Sequence, residues 1–355
     1  MSARAELRAL TAARGIAAWW VVLYHLRGAL EGLPRVAEAV LAKGYLAVDF
    51  FFLLSGFVLA LSHGERLCGG GLGAIPDFLR RRIARIWPLH VVMLGFALLL
   101  VGILRSSGRT TQDFPLAELP AHLLLVQAWG FANPLCWNDP AWSISCELVA
   151  YLLFPFWAMA VDWRRQRTPV LLAVILALLA LLHGAFAARG AADLGQDIAH
   201  LGVLRCVLEF ATGTIMYALW ERGRGHRWLP VVLAAGLGSG WMLGLAETAA
   251  VPAMLTALLL ALAFAPDRTG ALLHRLGEIS YATYLSHFLL WFAFKLAFVH
   301  GETIGWPLAL LYLALVLAAS ETLHRLVERP AQAWINRLPL RRSRTPLPAP
   351  RSPRG

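Results

Sequence analysis

The stretch "ARGIAAWWVVLYHL" (residues 13–26) is apolar over most of its length but holds an arginine near its start and a histidine near its end. Arg14 and His25 are eleven residues apart, which is about three turns of an α-helix, so both side chains project from one face. Their separation along the helix axis is about 16 Å. Ionisable groups are costly inside a membrane and are usually kept there for a function. The stretch therefore predicts a membrane-spanning helix that carries a cation and an imidazole on one inward face.

The whole chain has the composition of a membrane protein. Of its 355 residues 59% are hydrophobic and only 15% are charged, whereas soluble domains are about a quarter charged. Several apolar runs reach the roughly 20 residues that cross a bilayer. These runs predict an all-α fold, a polytopic membrane helix bundle of about ten transmembrane helices. The predicted spans are 10–30, 44–62, 86–104, 141–161, 169–188, 198–220, 228–246, 250–265, 279–299 and 305–324. A shorter apolar piece, 119–130, is predicted to be a re-entrant or interfacial helix.

The net charge of +11 follows the predicted topology. With the N-terminus in the cytoplasm, 24 of the 32 Lys and Arg residues fall in cytoplasmic segments and six in external loops, as the positive-inside rule requires. We therefore expect both termini in the cytoplasm, a multi-pass location in a bacterial cytoplasmic (inner) membrane, and no nucleic-acid partner. Residues 1–337 are predicted to form one integral membrane domain, and the Pro- and Arg-rich residues 338–355 a disordered basic tail.

The four cysteines predict neither a disulfide framework nor a metal site. Cys68, Cys136, Cys146 and Cys206 show no CxxC spacing and fall at different levels of the predicted topology. We expect them to be buried thiols that pack as small hydrophobic side chains.

Two carboxylates are predicted at the depth of His25. Asp49 lies about five residues into a span that enters from the outside, and Glu147 lies about seven residues into another. A carboxylate that accepts a hydrogen bond from one imidazole nitrogen leaves the other nitrogen free as a base. Asp49 or Glu147 is therefore predicted to orient His25 for general-base catalysis.

A polar stripe and an arginine pair complete the candidate site. Tyr281, Tyr284 and His287 recur at intervals of three residues, which predicts a hydrogen-bonding wall for a polar ligand on one helix face. Arg82 and Arg85 are also three apart, in "FLRRRIARIWPLH" (78–90), where Pro88 is expected to turn the chain into the next span. Guanidinium groups suit phosphates because their donors form a planar fork.

In these motifs the chain resembles the acyltransferase-3 family of membrane O-acyltransferases. The matching segments, in order, are Arg14-x10-His25, "GYLAVDFFFLLSGF" (44–57), Arg82-x2-Arg85, "WSISCELVAYLLFP" (142–155), "LGEISYATYLSH" (276–287) and "VERP" (327–330). The resemblance implies a ten-span core that moves an acyl group, often acetyl, from a cytoplasmic coenzyme A thioester to a hydroxyl. The implied acceptor is an envelope glycan or a glycosylated small molecule. Acetyl-CoA or another acyl-CoA would be a co-substrate, with no permanently bound cofactor. The tryptophan-containing block adds Trp142 to the substrate-binding residues.

The residues and the resemblance lead to the same mechanism. Coenzyme A would place its phosphates on Arg82 and Arg85, with help from Arg14, and His25 would take the proton of the acceptor hydroxyl. A transient acyl group on His25 is the alternative chemistry. A different class of function is a proton-coupled exporter of a small polar solute. Its relay would use His25, Asp49, Glu147, His287 and Lys295. A third possibility is a regulatory subunit whose site is inactive.

Overall fold

The protein is a helical bundle, seen here in a computed structural model that describes residues 7–223, 228–266 and 268–339. Apart from its first two residues, the predicted tail 338–355 lies outside the described residues. The α-helices are α1 Arg8–Leu26, α2 Arg35–Leu41, α3 Ala47–Gly70, α4 Ile75–Ser106, α5 Leu119–Leu123, α6 Ala141–Ala160, α7 Thr168–Ala188, α8 Ile198–Arg222, α9 Trp228–Met242, α10 Glu247–Ala263, α11 Ala271–Glu278, α12 Ser280–Phe298, α13 Trp306–Leu323 and α14 Arg329–Arg337.

A helix stands at each of the ten predicted spans, and no strand occurs in the described part of the chain. Within residues 7–223, 228–266 and 268–339, five helical stretches are long and apolar enough to cross a membrane, and α9 and α10 are shorter apolar helices. The predicted polytopic membrane bundle is confirmed. Residues 119–130 form the five-residue helix α5 followed by turns. This segment turns back against the bundle, because Trp87 Nε1 donates to the oxygen of Leu123 and the Ala128 N–H donates to Ser145 Oγ.

One expectation about the backbone is wrong. Pro88 does not turn the chain, because α4 continues through it as a single helix. A proline inside a helix removes one backbone hydrogen bond, and membrane helices tolerate this loss where neighbouring groups compensate. The arginine segment and the following apolar span are therefore one rigid element, and Arg82 and Arg85 keep a fixed position relative to the span.

Close contact between α3 and α8 depends on two glycines. A Cβ atom on Gly56 would lie 2.0 Å from the oxygen of Phe210, and one on Gly213 would lie 2.0 Å from the oxygen of Leu53. Small residues allow membrane helices to approach until their backbones touch. This crossing fixes which face of α3 is turned toward α8.

Another glycine contact aligns α1 with α11 and α12. A Cβ atom on Gly15 would lie 2.6 Å from the nitrogen of Gly277. Beside it, the oxygen of Gly277 accepts hydrogen bonds from Arg14 Nε at 3.2 Å and Nη2 at 2.7 Å. At the end of α1 the ring centroid of His25 lies 5.2 Å from that of His287. Arg14 and His25 thus meet α11 and α12 from one face of α1, as their spacing predicts.

Candidate functional site

A cavity lies between α1, α3, α4, α6 and α12, and it begins at the level of Arg14. We refer to its two limits as the Arg14 end and the Tyr284 end. Phe51, Phe52 and several aliphatic side chains form much of its wall. Its polar lining residues are Arg14, Ser55, Arg82, Arg85, Ser143, Glu147, Tyr151, Ser280, Tyr281 and Tyr284. The structure therefore brings the predicted arginines, one predicted carboxylate and two of the predicted tyrosines into one space.

Three guanidinium groups stand at the Arg14 end. Arg14 is bound to the Gly277 oxygen, as described above. The Arg85 guanidinium forms an ion pair with the buried Glu328 and lies 5.2 Å from the centroid of the Tyr281 ring. The Arg82 guanidinium lies 6.0 Å from the Tyr151 ring, and its buried Nε has no hydrogen-bond partner among the described residues. Arg82 thus has donor capacity that the protein itself does not use.

Neighbouring arginines on α4 are satisfied locally. Asp77 accepts from Arg81 Nε at 3.0 Å and from Arg80 Nη2 at 2.5 Å, and Arg66 lies 3.1 Å from it. Burial raises the pKa of Asp77, but its hydrogen bonds and ion pairs with Arg81, Arg66 and Arg80 lower that pKa below its usual value overall. Arg80 and Arg81 therefore differ from Arg82 in having a carboxylate partner, although all three lie in the same turn.

Glu328 is a site residue that our sequence reasoning did not assign. It lies in a π-helical turn, His324–Glu328, between α13 and α14, and His324 Nδ1 lies 3.0 Å from one of its carboxylate oxygens. Turns of this kind occur frequently at functional sites. The signal available in the sequence was the "VERP" segment (327–330), which contains this glutamate.

The middle of the cavity carries the predicted carboxylate Glu147. Ser55 Oγ donates a hydrogen bond to Glu147 Oε1. Opposite, the Tyr281 hydroxyl donates to the oxygen of Ile86 at 2.5 Å. Glu147 is thus held on the wall of the cavity by α3, not by α1.

A hydrogen bond closes the Tyr284 end. Ser143 Oγ and the Tyr284 hydroxyl are 2.8 Å apart, and the Tyr284 ring centroid lies 6.2 Å from that of His287. The His25 ring lies 5.2 Å beyond that of His287 and also touches Phe288. His25 and His287 form a pair just outside the cavity. The Tyr284 ring lies between this pair and the residues that line the Arg14 end.

His287 is held in a defined orientation. Its Nδ1 lies 3.2 Å from the oxygen of Thr283, and the Tyr312 hydroxyl donates to the His287 backbone oxygen at 2.9 Å. The ring is completely buried, and its Nε2 has no hydrogen-bond partner among the described residues. A buried imidazole nitrogen without a partner is costly, and because Nδ1 faces a carbonyl oxygen, Nε2 is available to accept a hydrogen bond.

The expected contact between Asp49 and His25 is not formed. Arg205 Nε and Nη2 each donate to the carboxylate of Asp49 at 2.6 Å, and Arg205 Nη1 donates to the oxygen of Leu194 at 2.6 Å. Asp49 and Arg205 are both fully or almost fully buried. The predicted depth of Asp49 is compatible with this position, since Phe51, two residues on, contacts Tyr284. Its face is different, because the glycine crossing turns it toward α8.

Glu147 does not contact His25 either. Ser143 marks the level of Tyr284, and Glu147 lies one helical turn further toward the Arg14 end. His25 lies on the other side of Tyr284, at the level of His287. Counting residues from predicted helix ends placed Glu147 and His25 at one depth. That count assumed that the C-terminal end of α1 and the N-terminal end of α6 lie at the same level.

Trp142 is placed outside the cavity. Its ring packs against Phe52 at 6.1 Å, and the Arg205 guanidinium lies 5.6 Å from it. The side chain supports the α3–α8 contact and is not brought to the cavity lining.

The comparisons with known proteins agree with the resemblance in the motifs. The family model of the acyltransferase domain, acyltransferase-3, matches residues 7–325. "Acyltransferase MdmB" of Streptomyces mycarofaciens is 32% identical over 381 aligned positions, which cover 94% of this chain and 93% of that protein. "Protein 2 in picA locus" of Rhizobium radiobacter is 33% identical over 158 positions, which cover 41% of this chain and 78% of that protein. No solved structure matches. The chain belongs to the acyltransferase-3 family and is a multi-pass membrane acyltransferase.

Proposed function

We propose that this acyltransferase moves an acetyl or other acyl group from a coenzyme A thioester in the cytoplasm to a hydroxyl of a glycan or a glycosylated small molecule. The observation that carries the proposal is the cavity itself. It has three guanidinium groups at one end and a histidine pair directly beyond the other. An acyl-CoA has the matching shape, because its phosphates and its thioester are at opposite ends of a long flexible arm.

Arg82 is the principal phosphate ligand in this proposal, and Arg85 and Arg14 contribute to the same basic surface. Arg82 has no ion-pair or hydrogen-bond partner among the described residues, so phosphate oxygens would meet a free planar fork of donors. Arg85 already balances part of its charge on Glu328, and Arg14 is engaged with Gly277. The pantetheine arm would then follow the cavity past Tyr281.

His25 is the proposed general base. The acceptor oxygen attacks the thioester carbonyl carbon as His25 takes the hydroxyl proton; the carbon–sulfur bond breaks, and that proton passes to the departing thiolate. The His287 ring packs against the His25 ring and fixes where His25 meets the acceptor. The thioester reaches this pair when the Tyr284 side chain turns away from Ser143. In the covalent variant, the acyl group rests on His25 before the hydroxyl takes it.

The proposed orientation follows from the basic residues. Both termini lie in the cytoplasm and the chain lies in a bacterial inner membrane, so that the Arg14 end faces the pool of acyl-CoA. A reporter that is active only outside the cell should be silent at the C-terminus and active within residues 189–197. The reverse pattern would place the arginines on the wrong side for this donor.

A proton-coupled exporter is not supported. Asp49, which such a relay would need, is bound by Arg205 through both carboxylate oxygens, and the chain belongs to an acyltransferase family.

The donor half of the proposal is tested by binding of radiolabelled acetyl-CoA to the purified protein in nanodiscs. Arg82→Ala with Arg85→Ala should weaken binding by about 1.5–3 kcal/mol for each charge-assisted hydrogen bond removed. Arg81→Ala is the matched control, because Arg81 has the same charge in the same helix but is paired with Asp77. It should bind acetyl-CoA as the wild type does.

Two outcomes would overturn this assignment. Binding by the double variant that equals the wild type would remove the arginines from the donor site. An equal loss from Arg81→Ala would mean that net positive charge, and not the position of Arg82, attracts the donor. Dephospho-coenzyme A, which lacks the 3′-phosphate, tests which phosphate is bound. If the double substitution weakens binding of dephospho-coenzyme A as much as binding of coenzyme A, the arginines do not bind the 3′-phosphate.

A further inference from the structure

Three metal-binding side chains meet in the segment between α4 and α6, outside the acyl-transfer cavity. Glu118 and His122 are four residues apart, one helical turn, in the two short consecutive helices Leu116–Glu118 and Leu119–Leu123. Cys136 returns to them after the turn at Asn133. Cys136 Sγ lies 3.3 Å from Glu118 Oε2 and 3.2 Å from His122 Nε2. The three ligand atoms all lie within 4.8 Å of one another.

These separations are close to the edges of a zinc coordination tetrahedron. Zinc–sulfur, zinc–nitrogen and zinc–oxygen bonds of ordinary length give ligand–ligand edges of about 3.4–3.6 Å at the tetrahedral angle. The two edges at Cys136 Sγ would need to lengthen by only a few tenths of an ångström, and the Glu118–His122 edge lies within 4.8 Å. The backbone oxygen of Asn133 lies 3.2 Å from both His122 Nε2 and Cys136 Sγ. It is placed to become the fourth ligand.

The cluster contains more atoms that offer a lone pair than protons that could form hydrogen bonds between them. Sulfur, imidazole nitrogen, carboxylate oxygen and the Asn133 carbonyl oxygen face one another, and the protons available to these four atoms are those of the thiol, one imidazole N–H and the Asn133 N–H, which donates to Glu118 Oε2 at 2.7 Å. His122 and Cys136 are buried and Glu118 is half-buried, so water has little access to compensate. A cation at the centre would satisfy all four groups at once. A thiolate together with an imidazole selects zinc over magnesium or calcium.

We propose that Glu118, His122 and Cys136 bind a zinc ion, with the Asn133 carbonyl oxygen completing the site. A site filled by four protein ligands has no open position for a substrate, which is typical of structural zinc. The sequence had suggested no such site, because the ligands have no CxxC spacing and come together only through the turns after α5.

The position of the site shows what the zinc would hold in place. The His122 oxygen lies 2.7 Å from His90 Nε2 of α4. At the other side of the cluster, Asn138 Nδ2 donates to the oxygen of Leu285 at 2.9 Å, two residues before His287. Zinc would fasten the segment that connects these two contacts. It would thereby stabilise the closure of the bundle next to the histidine pair without taking part in the chemistry.

The direct test is metal analysis of the wild-type protein, purified without a polyhistidine tag and dialysed against buffer containing trace zinc. We expect one zinc ion per chain, and cobalt in its place should give the absorption of a cobalt–thiolate bond. Cys136→Ser should lose that absorption and most of the zinc. Cys68→Ser, which removes an exposed cysteine elsewhere, should retain both.

A thermal measurement covers the case in which Cys136→Ser does not fold. Zinc added to the chelator-stripped wild type should raise its midpoint of unfolding, because a ligand that binds only the native state stabilises it. Wild-type protein that contains no zinc and gains no stability from it would overturn the proposal. Zinc content in Cys136→Ser equal to that of the wild type would also overturn it. Neither readout depends on the identity of the acyl acceptor or on activity.

Discussion

Two groups of buried charge inside the bundle show opposite kinds of bonding. Between α3 and α8, Asp49 and Arg205 form a bidentate pair, and the remaining Arg205 nitrogen donates to Leu194. Arg205 is thus fully paired within the protein, and the buried carboxylate of Glu209 lies near it. Beside the cavity, Arg82 is half-buried, contacts the Tyr151 ring and lies near Glu147, but it has no hydrogen-bond or ion-pair partner among the described residues. We expect Arg82 to be paired when an anion binds, which would distinguish a functional charge from a structural one.

The largest effect should come from the functional side, at His25. His25→Gln keeps hydrogen-bonding groups but cannot take a proton, so turnover should fall by about 10²–10⁴-fold. Release of the coenzyme A thiol from acetyl-CoA, with water as the slow acceptor, measures this without knowledge of the natural acceptor. Acetyl-CoA binding and thermal stability should remain close to wild type. Hydrolysis within a few-fold of wild type would remove His25 from the chemistry.

Substitutions in the Asp49–Arg205 pair should lower the stability of the protein. Asp49→Leu removes the bidentate partner of Arg205 and leaves Glu209 as the nearby carboxylate, so the loss should be at most about 3–5 kcal/mol, the cost of breaking a buried pair. Adding Arg205→Met should recover much of the loss, because replacing both members of a buried pair with apolar groups is often neutral. The measurement is the temperature of aggregation in detergent. If Asp49→Leu were as stable as wild type but inactive, Asp49 would belong with the functional charges and the comparison would fail.

A smaller effect is expected at Glu328, which links the two kinds of charge. Glu328→Gln removes the counter-charge that positions Arg85, and the resulting loss in acetyl-CoA binding should be about 1 kcal/mol, roughly fivefold. Glu321→Gln is the control, since Glu321 pairs with Arg275 and Arg325 away from the cavity. Unchanged binding in Glu328→Gln, or an equal loss in the control, would show that Arg85 does not need this partner.

Arg14 should give the smallest change. Two of its N–H groups are committed to the Gly277 oxygen, so Arg14→Lys should lower stability by about 1 kcal/mol and change acetyl-CoA affinity less than Arg82→Ala does. Thermal unfolding and radioligand binding on the same preparation separate the two effects. A loss of affinity larger than that of Arg82→Ala would make Arg14 the main phosphate ligand.

The sequence predicted what depends on position along one helix. A separation of eleven residues placed Arg14 and His25 on one face, and a separation of three made Arg82 and Arg85 neighbours on one helix face, where the structure shows both lining the cavity. It also predicted a helix at each of the ten spans, since apolar length alone determines where a chain can cross a bilayer.

Contacts between helices were less accessible to sequence reasoning. Depth can be counted along a span, but the direction in which Asp49 points is decided by the packing of Gly56 and Gly213 against opposing backbones. For the same reason the sequence did not identify Arg205 as the partner of Asp49. Glu328 was missed because its partner, Arg85, is far away along the chain.

A cryo-electron microscopy structure of the protein in nanodiscs with acetyl-CoA tests the central claim most directly. The account predicts phosphate density against the Arg82 guanidinium, the pantetheine arm along the cavity, and the thioester carbonyl within reach of His25, with Tyr284 turned away from Ser143. Phosphates bound elsewhere would contradict the donor site. A thioester that stops beside Glu147, with the Ser143–Tyr284 hydrogen bond intact, would contradict the role of His25 and make Glu147 the base.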